Sequence, residues 1–295
     1  MRNVLYLVLL SAVMLAACEP KTEKLVIFHA GSLSIPFQEL ADTFESRYPH
    51  IDVQTEADGS IACARKITEL NRKADIMASA DISIIEQILL PEYTNEAVAF
   101  AGNEMVLAYH ESSPGKDSIN TQNWPQILLH PSAHYGRSNP NLDPCGYRSI
   151  FSMRLQEKYL STTPYVELLL AKDKRFIRPK ETDLLALLET KTIDYMFIYR
   201  SVAQQHQLSF IRLNDTVNLG NQWLDSLYHS VSVEIDGASA GEKMKVYGSS
   251  MTYGICQLQD APNPEAAEQF IKLLSSNTGK AIISRNGQTS LIQHQ

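Results

Sequence analysis

Apolar and polar positions change period at regular intervals along this chain. Lys24-Leu25-Val26-Ile27-Phe28-His29 is an apolar run of strand length, closed by the small-residue turn Ala30-Gly31-Ser32. From Leu33 the spacing becomes helical, with Leu33, Phe37, Leu40, Ala41, Phe44 and Tyr48 on one face. Ser34 is the expected N-cap, Pro36 is tolerated in the first turn and Pro49 ends the helix. A second strand over 52–57 runs into Asp58-Gly59-Ser60, a helix follows over 62–72, a third strand over 74–78 and another helix over 82–90. Strand and helix therefore alternate as in βαβ units, which predicts a mainly parallel sheet. The turns after these strands, Ala30-Gly31-Ser32, Asp58-Gly59-Ser60 and Ser79-Ala80-Asp81, collect at the sheet edge where ligands bind. Helix N-termini at that edge offer N–H groups and a positive dipole end, a setting for an anion.

The middle of the chain repeats this logic less regularly. Residues 104–109 predict a strand that crosses to a second lobe, and 134–137 another, ending in Ser138-Asn139-Pro140-Asn141-Leu142-Asp143-Pro144-Cys145-Gly146-Tyr147-Arg148. Helices are expected over 147–159 and from Glu181-Thr182-Asp183 onward, with strands over 194–199 and 246–256. Residues 264–275 read as an amphipathic helix with Phe270, Ile271 and Leu274 inward. The pattern is that of an α/β chain in two lobes joined by crossing strands, lobe one over 24–105 with 248–295 and lobe two over 106–247.

The N-terminus reads as targeting rather than structure. Arg2 precedes an apolar stretch from Val4 to Ala17, shorter than the roughly 20 residues a spanning helix needs and of the length of an export signal. It ends in Leu15-Ala16-Ala17-Cys18, followed abruptly by polar Glu19-Pro20-Lys21, and resembles the lipobox of bacterial lipoproteins. That resemblance implies a signal peptide over 1–17, a lipid anchor on the Cys18 thiol, a tether over 18–23 and a mature protein held on the periplasmic side of the cell envelope.

Composition narrows the function classes. The 295 residues are 44% hydrophobic and 20% charged, which supports a packed core and excludes a disordered chain. A net charge of −7, with no long Lys/Arg run, argues against a nucleic-acid partner. After cleavage Cys63, Cys145 and Cys256 remain, an odd number with no Cys-x-x-Cys spacing. They read as small buried residues, with one disulfide among them as the alternative. The eight histidines show no metal-binding spacing, and there is no G-x-S-x-G elbow or P-loop.

Several motifs in register carry a specific resemblance. Phe28-His29-Ala30-Gly31-Ser32-Leu33-Ser34, the run from Gly59 to Leu70, Ala74-Asp75-Ile76-Met77-Ala78-Ser79-Ala80-Asp81, the run from Ser138 to Arg148, Lys180-Glu181-Thr182-Asp183-Leu184-Leu185 and Phe197-Ile198-Tyr199 resemble the tungstate/molybdate-binding proteins of ABC importers. Order and spacing hold from Lys24 to about Gln288, closest to a carboxylate-using subgroup common in archaea, although the connection from Leu170 to Glu181 is shorter here. The resemblance implies a two-lobed periplasmic-binding-protein fold of type II, each lobe a mainly parallel sheet flanked by helices with the ligand in the cleft. It implies no enzymatic activity and no resident cofactor, a tungstate or molybdate ligand, an ABC permease as membrane partner, and a monomer. The ligand-binding residues it implies are Gly31, Ser32, Ser60, Asp143, Pro144, Cys145, Glu181 and Tyr199.

The residue chemistry supports most of these. Ser32 and Ser60 lie where two βα turns converge and can donate to oxyanion oxygens, Cys145 is expected to offer its backbone N–H rather than a weakly donating thiol, and Tyr199 can donate its phenol. Asp143 and Glu181 should repel a dianion. The resemblance supplies a reason for them: molybdenum and tungsten accept further oxygen ligands, so the two carboxylates bind the metal centre of the anion, which sulfur and phosphorus do not readily allow. Repulsion of common anions then acts as the selectivity device. A sulfate or phosphate carrier, a ligand sensor for a membrane receptor and a Cys145-dependent hydrolase are the alternatives.

Overall fold

The apolar run after Lys24 forms β1 (Glu23–Ala30), so Glu23, expected in the tether, already belongs to the sheet. The computed structural model describes residues 22–237 and 241–291, and the expected signal peptide and Cys18 lie outside them. β1 pairs in parallel with β2 (Ile51–Asp58) and β3 (Ile76–Ser79). Between β1 and β2 runs the helix Ser34–Arg47, with Phe37, Leu40, Ala41 and Phe44 buried as the periodicity requires. Its start differs from expectation. A short 3-10 turn, Gly31–Leu33, precedes it, Leu33 is the cap position, and the Ser34 hydroxyl donates back to the Gly31 carbonyl at 2.7 Å. A polar side chain inside the first turn can satisfy a nearby carbonyl instead of capping an N–H.

The chain leaves the first sheet through β4 (Val98–Gly102) and enters the second as β5 (Met105–Tyr109). The second sheet adds β6 (Tyr135–Ser138), β7 (Ile177–Arg178), β8 (Tyr195–Tyr199) and β9 (Ser209–Arg212) in the order β7-β6-β8-β5-β9. The expected single strand over 246–256 is two. A hairpin of β10 (Ser232–Asp236) and β11 (Lys243–Tyr247) stands apart, and β12 (Thr252–Gln257) returns to the first sheet, which β13 (Thr289–Ser290) completes in the order β13-β4-β12-β3-β1-β2. The break falls at Gly248, where a Cβ would lie 2.3 Å from the Tyr228 carbonyl oxygen, so the chain turns against that backbone instead of running straight.

Parallel pairing holds within β1–β3 and within β6–β8 and gives way elsewhere. β12 pairs antiparallel with both β3 and β4, and β5 antiparallel with both β8 and β9. The physical reason is the crossing. β5 and β12 are the strands that enter each lobe from the other, so they start at the cleft and run away from it, while β1, β3, β6 and β8 end there. The helix Pro264–Ser275 buries Phe270, Leu273 and Leu274 and leaves Ile271 half-buried. The Phe270 ring packs, tilted, with its centroid 5.9 Å from that of Phe37 and 5.5 Å from that of Phe44.

His29, at the cleft end of β1, is buried, and its Nδ1 bonds the Ala30 carbonyl oxygen at 2.8 Å. Since that carbonyl only accepts, Nδ1 carries the proton. Burial lowers the imidazole pKa from 6.5 to about 4. Between those values the unfolded chain binds the proton and the folded one does not, so the associated stability is complete above pH 6.5 and lost progressively below it. His29 should therefore remove about 2 kcal/mol of stability between pH 7 and pH 5. Urea denaturation of wild type and His29→Gln checks this: the variant's curve should be flatter over that interval by this amount, and identical pH slopes would remove the assignment.

Candidate functional site

The carboxyl ends of the strands bring the expected residues together. Asp143 is the N-cap of the helix Pro144–Leu160: Oδ1 accepts from the Cys145 N–H at 3.4 Å, and Oδ2 accepts from the Glu181 N–H at 3.1 Å. Pro144 occupies the first helical position, where its missing N–H is no loss. One carboxylate thus caps two helical starts, because Glu181 opens the 3-10 turn Glu181–Leu184. The Cys145 N–H, expected to face the ligand, is directed at Asp143, and the thiol points at the Phe197 carbonyl at 3.8 Å. Burial pushes that thiol well above its ordinary pKa. Cys63, Cys145 and Cys256 are all buried and free, so the disulfide alternative falls.

Glu181 differs from its neighbour. It is 1% exposed, yet neither carboxylate oxygen has a hydrogen-bond partner. Burial raises its pKa well above the carboxylate range, and the adjacent Asp143 charge raises it further. Asp143 is also raised by burial. Buried polar atoms are almost always satisfied, and a carboxylate left without a donor is costly unless a ligand completes it. Across the cleft a Cβ on Gly31 would lie 3.4 Å from Glu181 Oε1 and 2.9 Å from Thr182 Oγ1, which is why a glycine stands there.

Three hydroxyls approach this point, each already accepting one bond from the protein. Ser60 Oγ accepts from the Ala80 N–H at 3.0 Å. Ser32 Oγ accepts from the Tyr253 hydroxyl at 3.1 Å, and that phenol accepts in turn from Asn103 Nδ2 at 3.1 Å. The Tyr199 oxygen accepts from Arg148 Nη1 at 3.1 Å. A hydroxyl whose oxygen accepts within the protein keeps its hydrogen to donate. Burial pushes the Tyr199 pKa well up, so its proton is retained at neutral pH. The Tyr199 and Tyr253 rings meet at 6.1 Å across the cleft. The arrangement presents oriented O–H donors beside an unsatisfied carboxylate. A fourth hydroxyl, Ser138 Oγ at the end of β6, is buried beside the Asp143 carboxyl group and opposes the effect of burial on its pKa.

The lobes are closed on one another. The Leu142 carbonyl accepts from the N–H groups of Ile61 and Ala62 at 3.1 and 3.2 Å, occupying the N-terminus of the helix Ser60–Thr68. Arg65 on that helix donates to the carbonyls of Asn141, Asp236 and Gly237 in the other lobe. Arg148, Asp81 and Leu142 stand within the motifs, where the sequence assigns them no role. Only the fold shows Arg148, 2% exposed, reaching the Ala80 carbonyl at 2.7 Å and Asp81 Oδ2 at 3.0 Å. Ser138 and Thr182 lie inside the motifs with nothing in the sequence to mark their hydroxyls, and Tyr253 lies on β12, outside the motifs altogether. Among the described residues no group of His, Cys, Asp and Glu is arranged to hold a metal ion by itself.

Comparison with known proteins gives a consistent picture. The family model for bacterial extracellular solute-binding proteins matches residues 25–289. A solute-binding protein of Petrotoga mobilis is 44% identical over 288 residues, covering 97% of this chain and 89% of that one. The molybdate/tungstate-binding protein WtpA of Pyrococcus abyssi is 41% identical over 299 residues, covering 92% and 86%. Among solved structures, the periplasmic molybdate-binding protein of Azotobacter vinelandii aligns with a TM-score of 0.65 at 16% identity, over 92% of this chain and 100% of that one. The sulfate-binding protein SubI of Mycobacterium tuberculosis aligns with a TM-score of 0.64 at 8% identity, over 91% and 87%. At such identities the two structures speak for the fold alone, and carriers of either anion share it.

Proposed function

We propose that this chain, which belongs to the bacterial extracellular solute-binding protein family, captures tungstate or molybdate between its two lobes for delivery to an ABC permease. The relative named for these anions, at 41% identity, supports the ligand class. The observation that carries the reading is Glu181, whose two buried oxygens lack donors beside three hydroxyls that can donate. An anion whose centre accepts extra oxygen ligands satisfies both halves of that site. Ser32, Ser60 and Tyr199 would bind its oxygens, and Glu181 with Asp143 its metal centre. The metal is cargo, and no resident cofactor or catalytic step is required. The inert Cys145 thiol offers no nucleophile.

Closure between lobes implies stabilisation by ligand. An anion at 100 times its dissociation constant should add about 2.7 kcal/mol to folding stability. Thermal melts should show a clear rise with tungstate and with molybdate and little change with equal sulfate or phosphate. Equal shifts with all four anions would remove the selectivity reading. The export signal and Cys18 belong to the same proposal: the native protein should be lipid-anchored at Cys18, and an intact mass retaining 1–17 or an unmodified N-terminus would exclude this.

A further inference from the structure

The turn Ser79-Ala80-Asp81, singled out by the sequence pattern, supplies no expected ligand group, yet it lies directly behind the site. Asp81, 5% exposed, accepts the Tyr147 hydroxyl on Oδ2 at 2.6 Å and the Ser83 N–H and hydroxyl on Oδ1 at 3.0 and 2.8 Å. Its Oδ2 also lies 3.0 Å from Arg148 Nη2 across the cleft. Arg148 is one hydrogen bond behind the Tyr199 hydroxyl. A second cation at the rim, Lys180, is paired with Asp183 at 2.8 Å. Arg148 and Lys180 are thus each matched by a carboxylate.

We propose that Asp81 is a specificity-determining residue, which crosses the closed cleft to neutralise Arg148 and so denies common dianions a net positive charge. This deepens the function proposed above and rests on it. A buried unpaired guanidinium would attract any dianion strongly in a water-excluded cleft, sulfate and phosphate included. With the charge cancelled, an anion is held by O–H donors alone unless its centre can also take a carboxylate oxygen. Discrimination then comes from withholding attraction from the competitor as well as from contacts made to the preferred ligand. Arg148 keeps a positioning role, since its bond to the Tyr199 oxygen aims the phenolic hydrogen elsewhere.

Calorimetry of the whole mature protein with tungstate and with sulfate tests this on Asp81→Asn, Arg148→Gln and the double variant. Asp81→Asn should tighten sulfate at least about tenfold, whereas Arg148→Gln should weaken both anions at least about tenfold. The double variant should return toward wild-type selectivity. A pair acting only as a latch between lobes would make both single variants weaken both anions, and that result would overturn the proposal. Where Asp81→Asn does not fold, the other two decide: the double variant must bind tungstate more tightly than Arg148→Gln, and equal or weaker binding overturns the proposal. Absence of tungstate binding by wild type would instead remove the proposed ligand class, while the response of sulfate to Asp81→Asn still reads the role of Asp81.

Discussion

Gly59→Ala should reduce tungstate affinity by about 1,000-fold, roughly 4 kcal/mol, while leaving the unliganded protein folded. Gly59 has φ −61° and ψ 142°, a conformation any residue adopts, so the substitution introduces no backbone strain of its own. Its effect is confined to closure. A Cβ at this position would lie 2.3 Å from the Leu142 carbonyl oxygen, 2.9 Å from its carbon and 3.1 Å from Asp143 Cβ, all in the opposite lobe. The first two are backbone atoms and cannot rotate aside. The same carbonyl is fixed by the Ile61 and Ala62 N–H groups, so relieving the overlap breaks two inter-lobe bonds as well. A ligand can shift a two-state equilibrium only by its differential affinity, and destabilising the closed state subtracts directly from binding. Calorimetry gives the affinity, and small-angle scattering should show no compaction on adding tungstate. Wild-type affinity in Gly59→Ala would mean that the closed arrangement is not the binding form.

Glu181→Gln should lower tungstate affinity at least about 100-fold, roughly 2.7 kcal/mol, and leave sulfate unchanged or slightly tighter. The opposite signs are the point of the experiment. A neutral amide is a poorer ligand than a carboxylate for a hard, high-valent centre, so tungstate loses an oxygen donor. Sulfate, whose centre takes no further oxygen ligand, loses no bond. Glu181 is the better of the two carboxylates to change, because its oxygens hold no protein donor. Asp143→Asn also disturbs the caps of two helical starts, since each Asp143 oxygen accepts a backbone N–H. A stability loss of about 1 kcal/mol typical of a damaged cap would be mixed into its affinity change. X-ray absorption on the tungstate complex reads the coordination directly: extra oxygen neighbours beyond four in wild type, and fewer in Glu181→Gln. A plain four-oxygen shell in wild type would give the carboxylates some other role, and parallel losses for tungstate and sulfate in the variant would make Glu181 a structural group.

Local order was legible where chemistry repeats at short range. The period change at Leu33, with Phe37, Leu40 and Phe44 on one face, reports burial against a sheet whatever the rest of the chain does. The Asp143-Pro144 start is equally local, because the cap acts within two residues. The motifs from Gly31 to Tyr199 carried the candidate site in the same way. Tertiary structure alone decided how those pieces face each other. The antiparallel places of β5 and β12 follow from strands entering a lobe at the cleft, which no local pattern encodes. The split of 246–256 into β11 and β12 depends on Gly248 meeting the Tyr228 backbone from 20 residues upstream. Asp143 and Glu181 read alike as acids in the sequence, yet one is held by two backbone donors and the other by none. Arg148 and Asp81, which stand in separate motifs of the sequence, are buried together because they meet across a cleft that only the closed fold creates. Sequence determines what each side chain can donate, accept or neutralise; which of those capacities is spent within the protein, and which remains for a ligand, is settled by partners distant in the chain.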